Sequence, residues 1–398
     1  TYPMPVKQII KSTDAPSHLR DYLANMVYVG ILTEMLGIDK DVLYQVVAKQ
    51  FKGKQHAIDL NWSVIIAAAE WASTNLEKKD AYSVEKMPEL SDYIMVDGNT
   101  ASAIGSIYGG VQFTAWYPIT PATGLAESLI DYLPGLRTDP ESKKATYAVV
   151  QAEDELAAIG MAIGAGWGGL RSMTSTSGPG LSLMAEYLGL AYYAEVPVVV
   201  WNVQRVGPST GLPTRTGQCD LTFANFISHG DTEYILLIPG DVNECFRFGW
   251  EAFDLAEVFQ TPVIILTDLD LGMNVHMTRK FDFPDKEINR GKVLWEEDLE
   301  KILQSTGGSW GRYMDVDGDG IPYRTLPGNQ HPAAPYFARG TGHNEMARYS
   351  EDPIVWERVL DRIKRKFDSN RHLLPRPMVE EQDASIGIIA FGSTEPAI

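Results

Sequence analysis

Residues 146–180 read TYAVVQAEDELAAIGMAIGAGWGGLRSMTSTSGPG. The run Thr146–Ala152 is short, apolar and rich in Val and Tyr, as a buried strand is. It passes through Glu153-Asp154-Glu155 into an Ala/Gly-rich helix over Asp154–Gly164, and Arg171–Thr176 forms a second strand. Acids at a helix start complement its dipole and cap its free N–H groups. Strand, helix and strand in close succession are the repeating unit of a parallel sheet covered by helices. The rhythm continues on both sides, with strands expected at Thr114–Pro118, Val196–Val203 and Pro262–Asp268. Helices are expected at Thr100–Gly110, Ala122–Tyr132, Leu181–Ala194 and Val242–Phe259. The expected fold class is therefore α/β, a doubly wound parallel sheet, with ligands at the strand carboxyl ends.

Outside this core the texture differs. Residues 1–85 carry helical periodicity at Leu23–Leu36, Val42–Phe51 and Asn61–Leu76. Residues 77–96 are polar with little periodicity, and 86–96 are read as the linker into the α/β domain of residues 97–275. Residues 276–384, rich in Pro, Gly and charge, lose the rhythm and read as an extended region that wraps another part of the assembly. Residues 385–398 pair an apolar run, Ser385–Phe391, with a Gly-Ser-Thr turn, the pattern of a first strand and helix cap of a further α/β domain. Thr1 is not a start methionine and the chain stops where that last helix should begin, so the sequence reads as a piece of a longer polypeptide.

Composition narrows the function. Of 398 residues, 34 are Lys or Arg and 52 are Asp or Glu, a net charge of −18 that disfavours nucleic acid and anionic lipid as partners. Two cysteines, Cys219 and Cys245, supply neither a disulfide framework nor the four thiolates of an iron–sulfur cluster. With no apolar run near the ~20 residues of a membrane span and no signal peptide, a soluble, cytoplasmic protein is expected.

Three motif matches do not survive their context. Gly164-Ala165-Gly166-Trp167-Gly168-Gly169 satisfies GxGxxG but follows a helix and precedes a strand, so it reads as a helix stop rather than a nucleotide loop. Asp315-Val316-Asp317-Gly318-Asp319-Gly320 resembles a calcium loop, yet its twelfth position is Leu326, leaving a solvated acidic turn. Gly318-Asp319-Gly320 with Asn344 imitates a metal–diphosphate signature but ends no buried strand. No metal ligand is assigned to this chain.

Four segments carry the candidate chemistry. Tyr117-Pro118-Ile119-Thr120-Pro121 leads from a strand into a turn stiffened by two prolines, with Thr120 or Thr123 available to cap the next helix. Glu155 opens a helix whose following positions Ala157, Ala158, Gly160 and Gly164 are small, so another molecule can approach its backbone. A carboxylate there suits a hydrogen bond to a heterocycle nitrogen. Thr174-Ser175-Thr176-Ser177-Gly178-Pro179-Gly180 ends a strand in hydroxyls and glycines. Arg205, before the shaped loop Val206–Thr214, offers a planar fork for an anionic substrate.

In order and spacing, YPITP, QAEDELAAIG, TSTSGPG and RVGPSTGLPT resemble the α subunit of 2-oxoacid:ferredoxin oxidoreductases. Arg339-Gly340-Thr341-Gly342-His343-Asn344-Glu345 and Phe391-Gly392-Ser393-Thr394-Glu395 extend the resemblance, and residues 1–85 are similar to the C-terminal part of a fused γ domain. The resemblance implies that residues 97–275 bind the pyrimidine of thiamine diphosphate. Glu155, with Ala158 and Gly164, meets the wider pattern E-x-x-A-x5-G and would bond N1′ of the aminopyrimidine. Tyr117, Pro118, Ile119, Thr120, Ser177 and Gly178 would line the cofactor, Thr120 beside the substrate, and Arg205 would face the 2-oxoacid carboxylate. A β subunit would bring Mg2+ and the [4Fe-4S] cluster, with coenzyme A and ferredoxin as co-substrates and a dimer of heterodimers as the assembly. The γ–α fusion with GPSTGLPT points to 2-oxoglutarate. Pyruvate or branched-chain 2-oxoacids, and a non-catalytic assembly subunit, are the alternatives.

Overall fold

The computed structural model describes residues 2–87, 90–283, 285–380 and 385–398. The chain divides into two compact units, Thr1–Ser91 and Asp92–Ile398. The first is helical: α1 (Val6–Lys11), α2 (Ala24–Leu36), α3 (Lys40–Gln50) and α4 (Gln55–Asn75). Gly37, at φ +72°, ends α2, and Asp39 caps α3 by accepting from Asp41 N and Val42 N. Val27 and Ile31 of α2 meet Val64, Ala68 and Ala72 of α4 in a small core.

The second unit runs β1 (Tyr93–Asp97), α5 (Gly98–Tyr108), β2 (Phe113–Trp116), α6 (Thr123–Leu136), β3 (Ala148–Gln151), α7 (Glu155–Trp167), β4 (Ser172–Thr176), α8 (Gly178–Leu183) and α9 (Ala185–Tyr193). It continues through β5 (Val198–Gln204), α10 (Leu221–Asn225), β6 (Ile235–Leu237), α11 (Val242–Phe259), β7 (Pro262–Asp268), α12 (Leu269–Met273), β8 (Val275–Arg279), α13 (Glu296–Ser305) and α14 (Pro353–Asn370). Six strands form one parallel sheet in the order β3-β2-β4-β5-β7-β6. β5 and β7 are buried along their whole length, which is why they read as mostly apolar runs. Each fully buried Val, Ile or Leu there contributes about 1.5–3 kcal/mol. From β2 the chain adds β3 on one side and β4 on the other, so the crevice of this α/β sheet opens at the carboxyl ends of β2 and β4.

The expected α/β class holds, and several local expectations change. The GxGxxG segment is a helix end: Gly169, at φ +89°, lets Leu170 N reach Ala165 O, and Gly169 N reach Gly166 O. The helix expected over Leu181–Ala194 is two, α8 and α9, broken at Met184. Tyr93–Asp97, which begins in the 86–96 linker and ends at the first residue of the domain, is a strand that pairs antiparallel with β8, Met95 opposite Met277; residues 88 and 89 of that linker lie outside the described residues. Residues 276–384, of which 284 and 381–384 lie outside the described residues, contain α13 and the 18-residue α14. Val359, Ile363 and Phe367 of α14 join the main core. The strand expected over Ser385–Phe391 is absent, and Ile386, Ile388 and Ile389 are exposed. A lone strand has no ladder partner to satisfy its backbone, and none of the described strands pairs with it. The acidic turn at 315–320 is exposed at Asp317 and Gly318 and is also ion-paired: Lys292 Nζ sits 2.6 Å from Asp317 and 2.8 Å from Asp319, and Arg365 is 2.7 Å from Asp315. Asn344 Oδ1 accepts from Met346 N and Arg348 N, holding its own turn. No described helix is long and apolar enough to cross a membrane.

Candidate active site

Asp154 is the cap of α7, accepting from Ala157 N at 2.7 Å, which leaves Glu155 free of that task at the first helical position. Glu155 is buried, 8% exposed, whereas Glu153 is exposed. Gly180 makes its seat: a side chain at Gly180 would begin 2.7 Å from Glu155 Cγ, 3.0 Å from its Oε1 and 2.0 Å from Thr176 Oγ1. Gly180→Ala is therefore expected to push the Glu155 carboxylate out of place and to cost about 1–3 kcal/mol of stability by overpacking. Urea unfolding of the variant checks this, and an unchanged midpoint would mean that Gly180 does not hold Glu155. The small residues after Glu155 divide in use. Ala158 packs on Ala115 and Ala152, Gly160 faces the Tyr187 ring of this same chain, and Gly164 faces open space.

At the end of β2, Tyr117, Pro118 and Thr120 are exposed and Ile119 half-buried. Neither threonine caps α6, whose cap residue is Ala122. Thr123 Oγ1 instead accepts from Ile119 N at 3.0 Å and braces the turn from within. The Thr120 backbone is held from the far side of the crevice, since its carbonyl accepts from Arg205 Nη1 at 2.7 Å. Thr120 lines a cavity of about 390 Å³ together with Asn99, Glu127, Ser128 and Asp131.

At the end of β4, Ser177 is fully buried and its Oγ has no hydrogen-bond partner among the described residues; the same is true of Ser175 Oγ. Arg205 is 7% exposed. It donates to Thr120 O and, at 2.8 Å, to Thr210 O, while its Nε has no partner among the described residues. The guanidinium thus joins the two loops that flank the crevice and keeps N–H groups in reserve.

Three residues that the motifs did not point to complete the cluster. Thr176 lies opposite Asn202 in the β4–β5 ladder. Asn202 Nδ2 donates to Asp220 Oδ2 at 2.9 Å, and Asp220 N donates to Gln204 Oε1 at 3.0 Å. The Asp220 carboxylate reaches over Gly178, where an added side chain would meet it at 2.8 and 2.9 Å. Burial raises the Asp220 carboxyl above the ordinary carboxylate value, more than the Asn202 hydrogen bond and the Arg205 charge lower it. The polar Asn202 and Gln204 inside the apolar β5 were a usable signal. Asp220, in an irregular loop, carried none.

These residues suit one wall of a heterocyclic cofactor: a buried carboxylate to meet a ring nitrogen, and buried hydroxyls short of partners. Among the described residues, no three His, Cys, Asp or Glu side chains are grouped as a metal ion would need. Residues 104–307 match the family described as pyruvate flavodoxin/ferredoxin oxidoreductase, thiamine diphosphate-binding, and residues 1–71 match pyruvate ferredoxin/flavodoxin oxidoreductase. The chain is 38% identical over 365 residues to the α subunit of 2-oxoacid:ferredoxin oxidoreductase 1 of Sulfurisphaera tokodaii, covering 91% of this chain and 55% of that one. It is 37% identical over 314 residues to the 2-oxoglutarate synthase subunit KorA of Methanothermobacter marburgensis, covering 78% and 76%. The solved 2-oxoglutarate:ferredoxin oxidoreductase of Magnetococcus marinus, with 2-oxoglutarate, coenzyme A and succinyl-CoA bound, superposes with a TM-score of 0.78 at 34% identity, over 95% of this chain and 62% of that one. The chain thus spans between about half and two thirds of the longer relatives it matches. With the matched residues enclosing the crevice at β2 and β4, the chain belongs to the 2-oxoacid:ferredoxin oxidoreductase family, among its α subunits.

Proposed function

We propose that this chain forms the pyrimidine wall of a thiamine diphosphate site in an enzyme that converts 2-oxoglutarate, coenzyme A and oxidised ferredoxin reversibly to succinyl-CoA, carbon dioxide and reduced ferredoxin. The observation that carries the reading is Glu155, a buried carboxylate at the first turn of α7, released from capping by Asp154 and seated against Gly180 beside the crevice. Bound thiamine diphosphate supplies the nucleophilic carbon and the electron sink that 2-oxoacid decarboxylation requires. Glu155 holds a proton at the pyrimidine ring nitrogen and so selects the tautomer with a basic exocyclic nitrogen. Tyr117, Pro118, Ile119, Ser177 and Gly178 border the ring, and Thr120 places its hydroxyl at the substrate. Arg205 fixes the two flanking loops and offers its remaining N–H groups to the substrate carboxylate. Mg2+, the [4Fe-4S] cluster and the ferredoxin contact belong to a β subunit, and the assembly is a cytoplasmic dimer of heterodimers.

The test is reduction of viologen by the assembled protein with coenzyme A and each of 2-oxoglutarate, pyruvate and a branched-chain 2-oxoacid. The expected result is the highest kcat/KM for 2-oxoglutarate. A preference for pyruvate would move the chain to another branch of the family, and no reduction with any oxoacid would favour an assembly subunit. Arg205→Lys in the same assay is expected to raise KM for the oxoacid by roughly 10- to 150-fold, the equivalent of about 1.5–3 kcal/mol for a charge-assisted hydrogen bond, with far less change in cofactor affinity. Unchanged KM in both Arg205→Lys and Arg205→Ala would reduce Arg205 to a brace between loops.

A further inference from the structure

Asp220 is an acid at the strand carboxyl ends to which the reaction above gives no part. It precedes α10 without capping it. Two β5 side chains hold it instead, Gln204 by its backbone N–H and Asn202 by its carboxylate, and Gly178 leaves it room. It belongs to no ion pair among the described residues; the cation whose charge reaches it is Arg205. Arg205 also has no carboxylate partner among them, its bonded N–H groups going to Thr120 O and Thr210 O. The crevice therefore keeps a buried cation and a half-buried carboxyl near each other but not in contact. The described groups that hold Asp220, Asn202 and Gln204 from β5, are neutral, as is Gly178 beneath it; Cys219 precedes it in the chain, and Glu155, seated against Gly180, is the other acid at this crevice. The next acid along the sheet, Asp268 on β7, is engaged by Gln218 and Ser393.

Resting on the reading that a 2-oxoacid docks its carboxylate at Arg205, we propose that Asp220 keeps the charge of this site constant, taking up one proton from solvent when that carboxylate arrives. One negative charge and one proton enter together, and no covalent bond changes. The physical cause is the like-charge effect: a second anion beside the same cation makes ionised Asp220 costlier, and burial has already moved its carboxyl toward the protonated form. By linkage, oxoacid affinity falls as pH rises, by at most about tenfold per pH unit for one proton.

The experiment is titration calorimetry of 2-oxoglutarate into the full protein, assembled with its β subunit and stripped of thiamine diphosphate. It is run in two buffers of different ionisation enthalpy at several pH values from mildly acid to neutral. Wild type is expected to take up a proton on binding. Asp220→Asn is expected to bind without uptake and with an affinity flat in pH, and Asp220→Glu to restore uptake. Binding that depends on Arg205 but carries no proton in wild type, or uptake that persists in Asp220→Asn, overturns the proposal alone. Absence of binding, or binding unchanged in Arg205→Ala, overturns the docking of a carboxylate at Arg205 and the proposal with it.

Discussion

Glu155→Ala in the assembled protein is expected to lower turnover by roughly 10²–10⁴-fold, the usual loss when a positioned proton-holding group is removed. The fold should hardly notice. Asp154 remains to cap α7, and an acid in a first turn is worth only about 0.3–1 kcal/mol through the helix dipole. Deleting the carboxylate also strands no partner, since no ion pair or hydrogen bond among the described residues involves it. The same substitution at Glu153 is the control. Glu153 is exposed, lies outside the helix and should tolerate alanine with nearly full activity. Steady-state rates with saturating cofactor, set beside urea unfolding of each variant, separate the two acids. Loss of activity in Glu153→Ala with retention in Glu155→Ala would assign the chemistry to the other carboxylate.

The same pair shows what could be read from the sequence. Three adjacent acids are ambiguous, but the pattern E-x-x-A-x5-G, met from Glu155 with Ala158 and Gly164, singles one out, and its burial agrees. The four motifs each follow a strand of the parallel sheet, so their meeting at one crevice follows from topology once the alternation is seen. Legibility ended where structure depends on distant partners. Asp220 is placed by Asn202 and Gln204 across 18 and 16 residues, and nothing local to it signals the bond. α14 was hidden for a related reason: its buried face includes Arg362 and Lys366, residue types that read as solvent-facing. Ile235–Leu237 is too short to announce an edge strand, and Ser385–Phe391 carries a strand pattern with no described strand beside it.

Those two cations support the prediction with the largest effect on stability. Glu195 is 1% exposed, in a left-handed backbone conformation at φ +54°, and its carboxylate meets Arg362 Nη1 at 3.2 Å, Arg362 Nη2, and Lys366 Nζ at 3.0 Å. Arg312 donates to its carbonyl at 2.8 Å, so one residue after α9 ties α14 and the segment before it to the sheet. Glu195→Gln is expected to cost about 3–5 kcal/mol, because it leaves two buried cations short of an anion, which is far worse than never having buried the pair. Glutamine keeps the length and tolerates the backbone about as glutamate does, so the loss reports charge and not strain. Burial alone would raise the Glu195 carboxyl, but Arg362 and Lys366 outweigh it and hold it at about 2, against 4.5 for a free glutamate. A depressed carboxyl contributes stability above its unfolded value and loses it as pH falls toward its folded one. Wild type and Glu195→Gln should therefore differ fully at neutral pH and converge between about pH 4.5 and 2. Adding Lys366→Met to Glu195→Gln should recover part of the loss, by removing one of the stranded charges. Urea unfolding of the three proteins across that pH range is the measurement. A constant difference down to pH 2 would show that Glu195 acts through packing and not through its charge.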